Sequence, residues 1–259
     1  MKKITIKKIK KQKGKNPIVC LTAYSKTTAI AADKYCDIIL IGDSLGMVLY
    51  GMKSTREVKL ETMILHGKVV KKYAKRSLVV FDMPYKTYRN KFEAYKNAKK
   101  ILKLTKCDAI KLEGGKKIVD IIKYLTKKRI PVMGHIGLLP QTSANYKVKG
   151  RDLNQQKKVL EDAEAISRSG VFSIIIECVV ERLAKIITKN VSVPTIGIGA
   201  SRHCDGQILV IDDMLGMSDY YPKFVKRFSN LKRIIEKSVK MYTKDVKLRK
   251  FPSKKYIYN

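Results

Sequence analysis

Eight short apolar segments punctuate the chain, near residues 18–23, 38–42, 78–82, 108–112, 131–135, 172–177, 194–198 and 207–211. Each has the length of a strand, most are rich in β-branched residues, and most are followed by a stretch whose apolar positions recur at helical spacing. Residues 25–35 open with Ser25 as a helix N-cap, and 57–75, 90–105, 115–128 and 154–169 carry an apolar stripe with lysines opposite. Strands alternating with helices imply a parallel sheet, because parallel neighbours need a crossover long enough to hold a helix. About eight such repeats predict an α/β fold of one kind, a single closed (β/α)8 TIM barrel, in preference to an open doubly wound sheet. The last repeat is the exception, since Gly199 to Gln207 leaves room only for a loop or one helical turn. Beyond the barrel, 228–243 reads as a C-terminal amphipathic helix and 251–259 as a polar tail that can fray. No linker or low-complexity segment divides residues 1–259, which are expected to form one domain.

Length and composition agree with that picture. The 259 residues, 45% of them hydrophobic, suffice for one substantial core. No apolar run approaches the roughly 18 residues of a membrane span, and the basic N-terminus never opens into the apolar stretch of a secretory signal, so a cytoplasmic protein with no membrane partner is expected. The five cysteines are odd in number and scattered, which suits reduced, packed thiols. A formal charge of +34 draws attention to nucleic acid. The lysines, however, are spread over nearly every predicted helix without a zinc-finger or RNP-type pattern, so non-specific adhesion at low salt is expected and specific nucleic-acid recognition is not.

Candidate chemistry sits at the ends of the apolar runs. Four of them close on a carboxylate: Asp43, Asp82, Glu113 and Glu177. A charge at the end of a buried strand is costly unless something compensates it. Asp43, Asp82 and Glu113 follow consecutive segments and would be neighbours on one arc of a barrel mouth. Three acids there, without soft ligands, suit Mg2+ better than Zn2+; the alternative is that each caps the following helix. The strand period of two places Lys111 on the same face as Glu113, to bind a substrate carboxylate or to pair with Glu113 itself. Glu177 ends the most hydrophobic run, as a general base for a weak carbon acid would. His135 closes the fifth segment and is open between packing, a substrate contact and support behind the metal ligands. The string Gly42-Asp43-Ser44-Leu45-Gly46 formally matches a serine-hydrolase elbow, but His66, His135 and His203 are the only histidines and no oxyanion signature accompanies it. It reads as a glycine-bounded turn.

Taken together, Ile41-Gly-Asp-Ser-Leu-Gly-Met47, Phe81-Asp-Met-Pro84, Lys111-Leu-Glu-Gly-Gly115, Gly134-His-Ile-Gly-Leu138 with Pro140-Gln141, Ile176-Glu-Cys-Val179, Ile196-Gly-Ile-Gly-Ala200, Asp205-Gly-Gln-Ile-Leu-Val210 and Pro222-Lys-Phe224 resemble the ketopantoate hydroxymethyltransferase family. The resemblance runs from about Thr5 to about Val246. It implies a (β/α)8 barrel, a Mg2+ ion and a homo-oligomer, typically a decamer. It also implies that Asp43, Asp82 and Glu113 are metal-site acids, that Asp43, Ser44, Asp82 and Lys111 surround the oxo-acid, and that Glu177 is the proton acceptor. The implied reaction transfers a hydroxymethyl group from 5,10-methylenetetrahydrofolate to 3-methyl-2-oxobutanoate through a Mg-bound enolate, giving 2-dehydropantoate (ketopantoate) for pantothenate and coenzyme A. A Mg-dependent oxo-acid or phosphonate barrel lyase is the alternative. Two departures from the family pattern stand out: Asp212 where histidine is common, and Ala144-Asn145 where a glycine pair usually precedes Tyr146.

Overall fold

The computed structural model describes residues 2–143 and 145–258. By their internal contacts they fall into two compact units, Met1–Ile211 and Asp212–Asn259. The first unit contains a closed barrel of eight parallel strands in sequential order. In chain order its elements are α1 (Ile6–Lys11), β1 (Ile18–Thr22), α2 (Lys26–Tyr35), β2 (Ile38–Ile41), α3 (Leu45–Tyr50), α4 (Leu60–Tyr73), β3 (Leu78–Asp82), α5 (Lys91–Thr105), β4 (Ala109–Lys111), α6 (Val119–Lys127), β5 (Val132–Gly137), α7 (Leu153–Ser167), β6 (Ser173–Glu177), α8 (Glu181–Asn190), β7 (Thr195–Ile198) and β8 (Gly206–Leu209). All eight strands expected from the apolar runs are present, and no helix intervenes between β7 and β8. The ring closes by pairing β1 with β8, Cys20 opposite Ile208.

Local chemistry explains the outer layer. Ser25 caps α2 through a reciprocal bond with Thr28, Asn90 accepts from Phe92 and Glu93 to start α5, and Asp152 accepts from Gln155 to start α7. α5 then buries Ala94, Ala98 and Ile101, and α7 buries Val159, Ala163 and Ile166, at the three- and four-residue spacing that keeps an apolar stripe on the sheet. Around the barrel, three α-helices among the described residues lie outside the expected set. α3 occupies what reads as a turn, α8 buries Leu183, Ala184 and Ile187, and α1 buries only Ile9. Ile9 and Ile4 are fully buried in the cluster that fills the barrel, with Ile18, Ile38, Leu78, Val80 and Ile196. The N-terminal segment thus supplies part of the barrel core itself.

The second unit takes in all but the first residue of α9 (Ile211–Leu215) and the whole of α10 (Leu231–Lys247), and none of the residues of α10 is buried. The Phe251 ring stands 5.6 Å from Tyr242 and 5.9 Å from Tyr256. All five cysteines are free thiols, four of them buried. Among the described residues no helix is long and apolar enough to cross a membrane.

Candidate active site

Alternate residues of a barrel strand point to the axis. Within this barrel the inward positions of successive strands are Leu78 and Val80, Ala109, Met133, and Ile175. Continuing the same parity toward the C-terminal ends reaches Asp82 on β3, Lys111 on β4, His135 on β5 and Glu177 on β6. The layer above the apolar filling is therefore ionisable on four adjacent strands. Asp43 follows β2 and Glu113 follows β4, extending that layer into the loops.

Register decides who pairs with whom. Asp82 lies opposite Lys111 in the β3–β4 ladder, and Lys111 Nζ donates to Asp82 Oδ2 at 2.7 Å with both side chains almost wholly buried. The ion pair of Lys111 is thus with Asp82 and not with Glu113, which stands two residues further along its own strand direction. His135 stands between two acids, its Nδ1 3.3 Å from Glu113 Oε2 and its Nε2 3.2 Å from Glu177 Oε2, although neither contact has hydrogen-bond geometry. Gly137 makes this arrangement possible: at φ +92 it brings its backbone so close to β6 that a Cβ would meet the Glu177 carbonyl oxygen at 2.3 Å.

A fully buried glutamine joins the two ends of the acid arc. The Gln141 backbone N–H donates to Glu113 Oε1 at 2.6 Å, while its Nε2 donates to Asp43 Oδ2 at 2.8 Å and to the Met83 carbonyl at 3.0 Å. Its Oε1 accepts from the Tyr88 hydroxyl, which also reaches the Glu113 carbonyl. Arg56 clasps the same loop from outside by donating to the Gln141 and Ser143 carbonyls. Sequence reasoning assigned no role to Gln141 or Tyr88; Pro140-Gln141 contributed to the family resemblance, but nothing local announces a buried amide.

The electrostatics follow from burial and proximity. Burial, then the charge of Asp82, holds the Asp43 carboxyl well above its ordinary range. Burial also raises Asp82, outweighing Lys111. Burial opposes the charge on Lys111, yet Asp82, Asp43 and Glu113 together push its pKa up. For His135, burial and Lys111 act downward, but Glu113 and Glu177 prevail and raise it to about 9. Four carboxyl groups thus face two basic side chains, and Asp82 Oδ1 is buried without a hydrogen-bond partner. Among the described residues no group of three or more His, Cys, Asp and Glu side chains forms a ready metal cage. The donor set nevertheless fits a hard divalent cation: Asp82 offers an unpartnered oxygen, Asp43 is crowded by its like-charged neighbour, and both Glu113 oxygens face protein nitrogens behind them.

Ser44 is half-buried beside Asp43, and its Oγ lies 2.8 Å from the Tyr24 hydroxyl. His66 instead contacts the Tyr24 carbonyl and the Tyr50 hydroxyl. Gly46 is there for packing, since a Cβ would sit 2.3 Å from Val58 Cγ2. Of the two departures noted in the sequence, Ala144 lies outside the described residues, while Asp212 is buried at the start of α9 with its carboxyl raised to about 6, by burial and then by Asp213. Glu113 and Tyr88 also line a cavity of about 1210 Å3.

Comparison with known proteins gives a consistent result. The family model described as ketopantoate hydroxymethyltransferase matches residues 3–254. The chain is 54% identical over 248 residues to a 3-methyl-2-oxobutanoate hydroxymethyltransferase of Pelagibacter ubique (strain HTCC1062), covering 96% of each chain. It is 49% identical to the protein of the same name from Bartonella quintana (strain Toulouse), covering 100% of this chain and 95% of that one. Among solved structures it is similar in fold to 2,3-dimethylmalate lyase, a PEP mutase/isocitrate lyase superfamily member, with a TM-score of 0.64 at 11% identity, over 99% of this chain and 89% of that one. A phosphonopyruvate hydrolase solved with oxalate and Mg++ superposes with a TM-score of 0.62 at 11% identity, over 98% and 93% of the two chains.

Proposed function

The chain belongs to the ketopantoate hydroxymethyltransferase family, and from that membership we propose that it moves a hydroxymethyl group from 5,10-methylenetetrahydrofolate to 3-methyl-2-oxobutanoate. The product is 2-dehydropantoate, which serves pantothenate and coenzyme A biosynthesis. The observation that carries the reading is the ionisable layer of Asp82, Lys111, His135 and Glu177 at the C-terminal ends of adjacent strands, the face where barrels place their chemistry.

In this reading Asp43 and Asp82 hold Mg2+ directly, with Glu113 as the third acid of the arc. The ion when bound supplies Lewis acidity toward the ketone and carboxylate oxygens of the oxo-acid. Lys111, kept charged by Asp82, balances the substrate carboxylate, and Ser44 reaches the same end of the substrate. Glu177, oriented by His135, takes the proton from C3. The carbon so freed bonds to the one-carbon unit as one of its two C–N bonds to the folate breaks, water supplies the hydroxyl in place of the other, and the two released nitrogens take up the C3 proton and the remaining proton of the water. Assembly into a homo-oligomer, a decamer in the family's usual form, belongs to the same reading; in its support, no residue of α10 is buried and its Ile234, Ile235, Val239 and Met241 are exposed among the described residues.

Mass-spectrometric detection of 2-dehydropantoate from the oxo-acid and the folate tests the activity; cleavage of an oxo-acid or phosphonate without folate would favour the lyase alternative. Glu177→Gln keeps shape while removing basicity. The variant is expected to bind the oxo-acid yet lose exchange of its C3 hydrogen with deuterated solvent. Wild-type exchange in a folded variant would assign the base elsewhere.

A further inference from the structure

We infer that the cavity bordered by Glu113 is a polyanion subsite that holds the glutamyl tail of the folate, an inference that rests on the folate reading above. At about 1210 Å3 the space far exceeds what an eight-atom oxo-acid fills, and it exceeds the roughly 300–1,000 Å3 of ordinary small-ligand pockets. Its walls include Glu113 and Tyr88, so a ligand seated there reaches the edge of the acid arc.

The lining is charged in one sense. Among the described residues, seven of the 22 that line the cavity are Lys or Arg, against 56 of 259 in the whole chain. Arg89 is paired with Glu93, but Lys86, Lys117, Lys147, Lys149, Arg151 and Lys158 line the space without an ion pair among the described residues. Among the described lining residues two acids oppose them; Glu113 already faces Gln141 and His135, and Asp162, which feels the charge of Lys158 one helical turn before it, accepts from the Lys116 backbone N–H at 2.6 Å. Unpaired cations around a concavity focus potential more strongly than the same charges on a convex surface. A poly-γ-glutamyl tail has the matching chemistry, a flexible chain with a carboxylate on every unit, and lysines accept such point charges without fixed geometry. Tyr85 and Tyr146 add aromatic surface for the flat portion of the same molecule.

The test compares 5,10-methylenetetrahydrofolate bearing one and five glutamates as co-substrates of the full-length enzyme. Wild-type KM is expected to be about tenfold lower for the pentaglutamate, with the preference shrinking as salt rises. Lys117→Gln and Lys158→Gln, at exposed positions, should each reduce that preference about two- to fivefold while leaving KM for the oxo-acid unchanged, which also shows that the variants fold. Lys99→Gln, on the outer face of α5, should leave the preference intact. Equal KM values for the two folates, or an equal loss with Lys99→Gln, would overturn the subsite while leaving the folate reading in place. Absence of product from both folates, with C3–H exchange of the oxo-acid intact, would overturn the folate reading and the subsite with it.

Discussion

Gln141→Met isolates what the buried amide contributes, because methionine keeps an unbranched side chain of similar volume and adds little cavity cost. Three hydrogen bonds disappear: Nε2 to the Asp43 carboxylate, Nε2 to the Met83 carbonyl, and the Tyr88 hydroxyl to Oε1. The backbone bond to Glu113 survives. A bond to a charged group contributes about 1.5–3 kcal/mol and a neutral one about 0.5–1.5, and a buried partner left bare costs its desolvation besides. Two effects reduce the sum. Tyr88 retains the Glu113 carbonyl as acceptor, and Asp43, already pushed toward its neutral form by burial and Asp82, sheds part of its penalty by taking a proton. The net expectation is a loss of about 3–4 kcal/mol.

The assay is urea unfolding at pH 7 in the presence of chelator. With a slope near 3 kcal/mol per molar, the midpoint should fall by about 1 M. Asp43→Asn supplies the second edge of a double-mutant cycle. If the Gln141–Asp43 bond carries the largest share, the two changes should be non-additive by about 1.5–3 kcal/mol. A Gln141→Met protein within about 0.5 kcal/mol of wild type, or strictly additive variants, would refute the assignment of Gln141 as the tie between the two ends of the arc.

Asp82→Asn should lower Mg2+ affinity and turnover together, since it removes charge at nearly constant shape, and exhaustive chelation should abolish turnover of the wild type; an unchanged metal titration or full activity under chelation would remove Asp82 or the ion from the mechanism. Ile9→Ala should cost about 2–4 kcal/mol in chemical denaturation with kcat unchanged, because Ile9 is buried in the barrel filling away from the acids. For Asp212, the folded-state pKa is raised from 3.8 to about 6, so the folded protein holds a proton that the unfolded chain has lost between those values. Stability therefore falls as pH rises through that window, and the full penalty applies above pH 6. Asp212→Asn should accordingly raise stability at pH 8 by about 1–3 kcal/mol and much less at pH 4, read as Tm at the two pH values; an equal gain at both would show that charge is not the cause.

The strands were legible because a buried parallel strand is a continuous apolar run, so β2, β3 and β6 stand out from their flanks without any help from periodicity. Helices with a long stripe and a polar cap, such as α5 behind Asn90, were equally plain. α1 was not, since Lys7, Lys8, Lys10 and Lys11 surround the one residue it buries. α8 follows directly on Val179 and Val180, which blur its start against the apolar run of β6. Within the site, parity along a strand revealed that Lys111 shares a face with the acids. It could not reveal that its partner is Asp82, because register between β3 and β4 is a tertiary property. Gln141 and Tyr88 were silent for the same reason: a polar residue is marked as structural only by the groups that three distant segments bring to it.

Net charge was the least informative feature, and the structure explains why. The lysine coat lies in water, where its influence fades over a Debye length of about 8 Å at physiological ionic strength. The acids of the barrel mouth are shielded from that water, and they act on one another strongly enough to shift the ionisation of Asp43, Lys111 and His135. A chain that is +34 overall thus presents at its core a layer in which carboxylates outnumber cations, the reverse of its surface. In the function proposed above the two regions would serve opposite ligands: the buried layer a divalent cation and the oxo-acid, and the cationic cavity beside it an anionic tail. Position along the strands, which sequence parity records, separates these environments; composition averages them away.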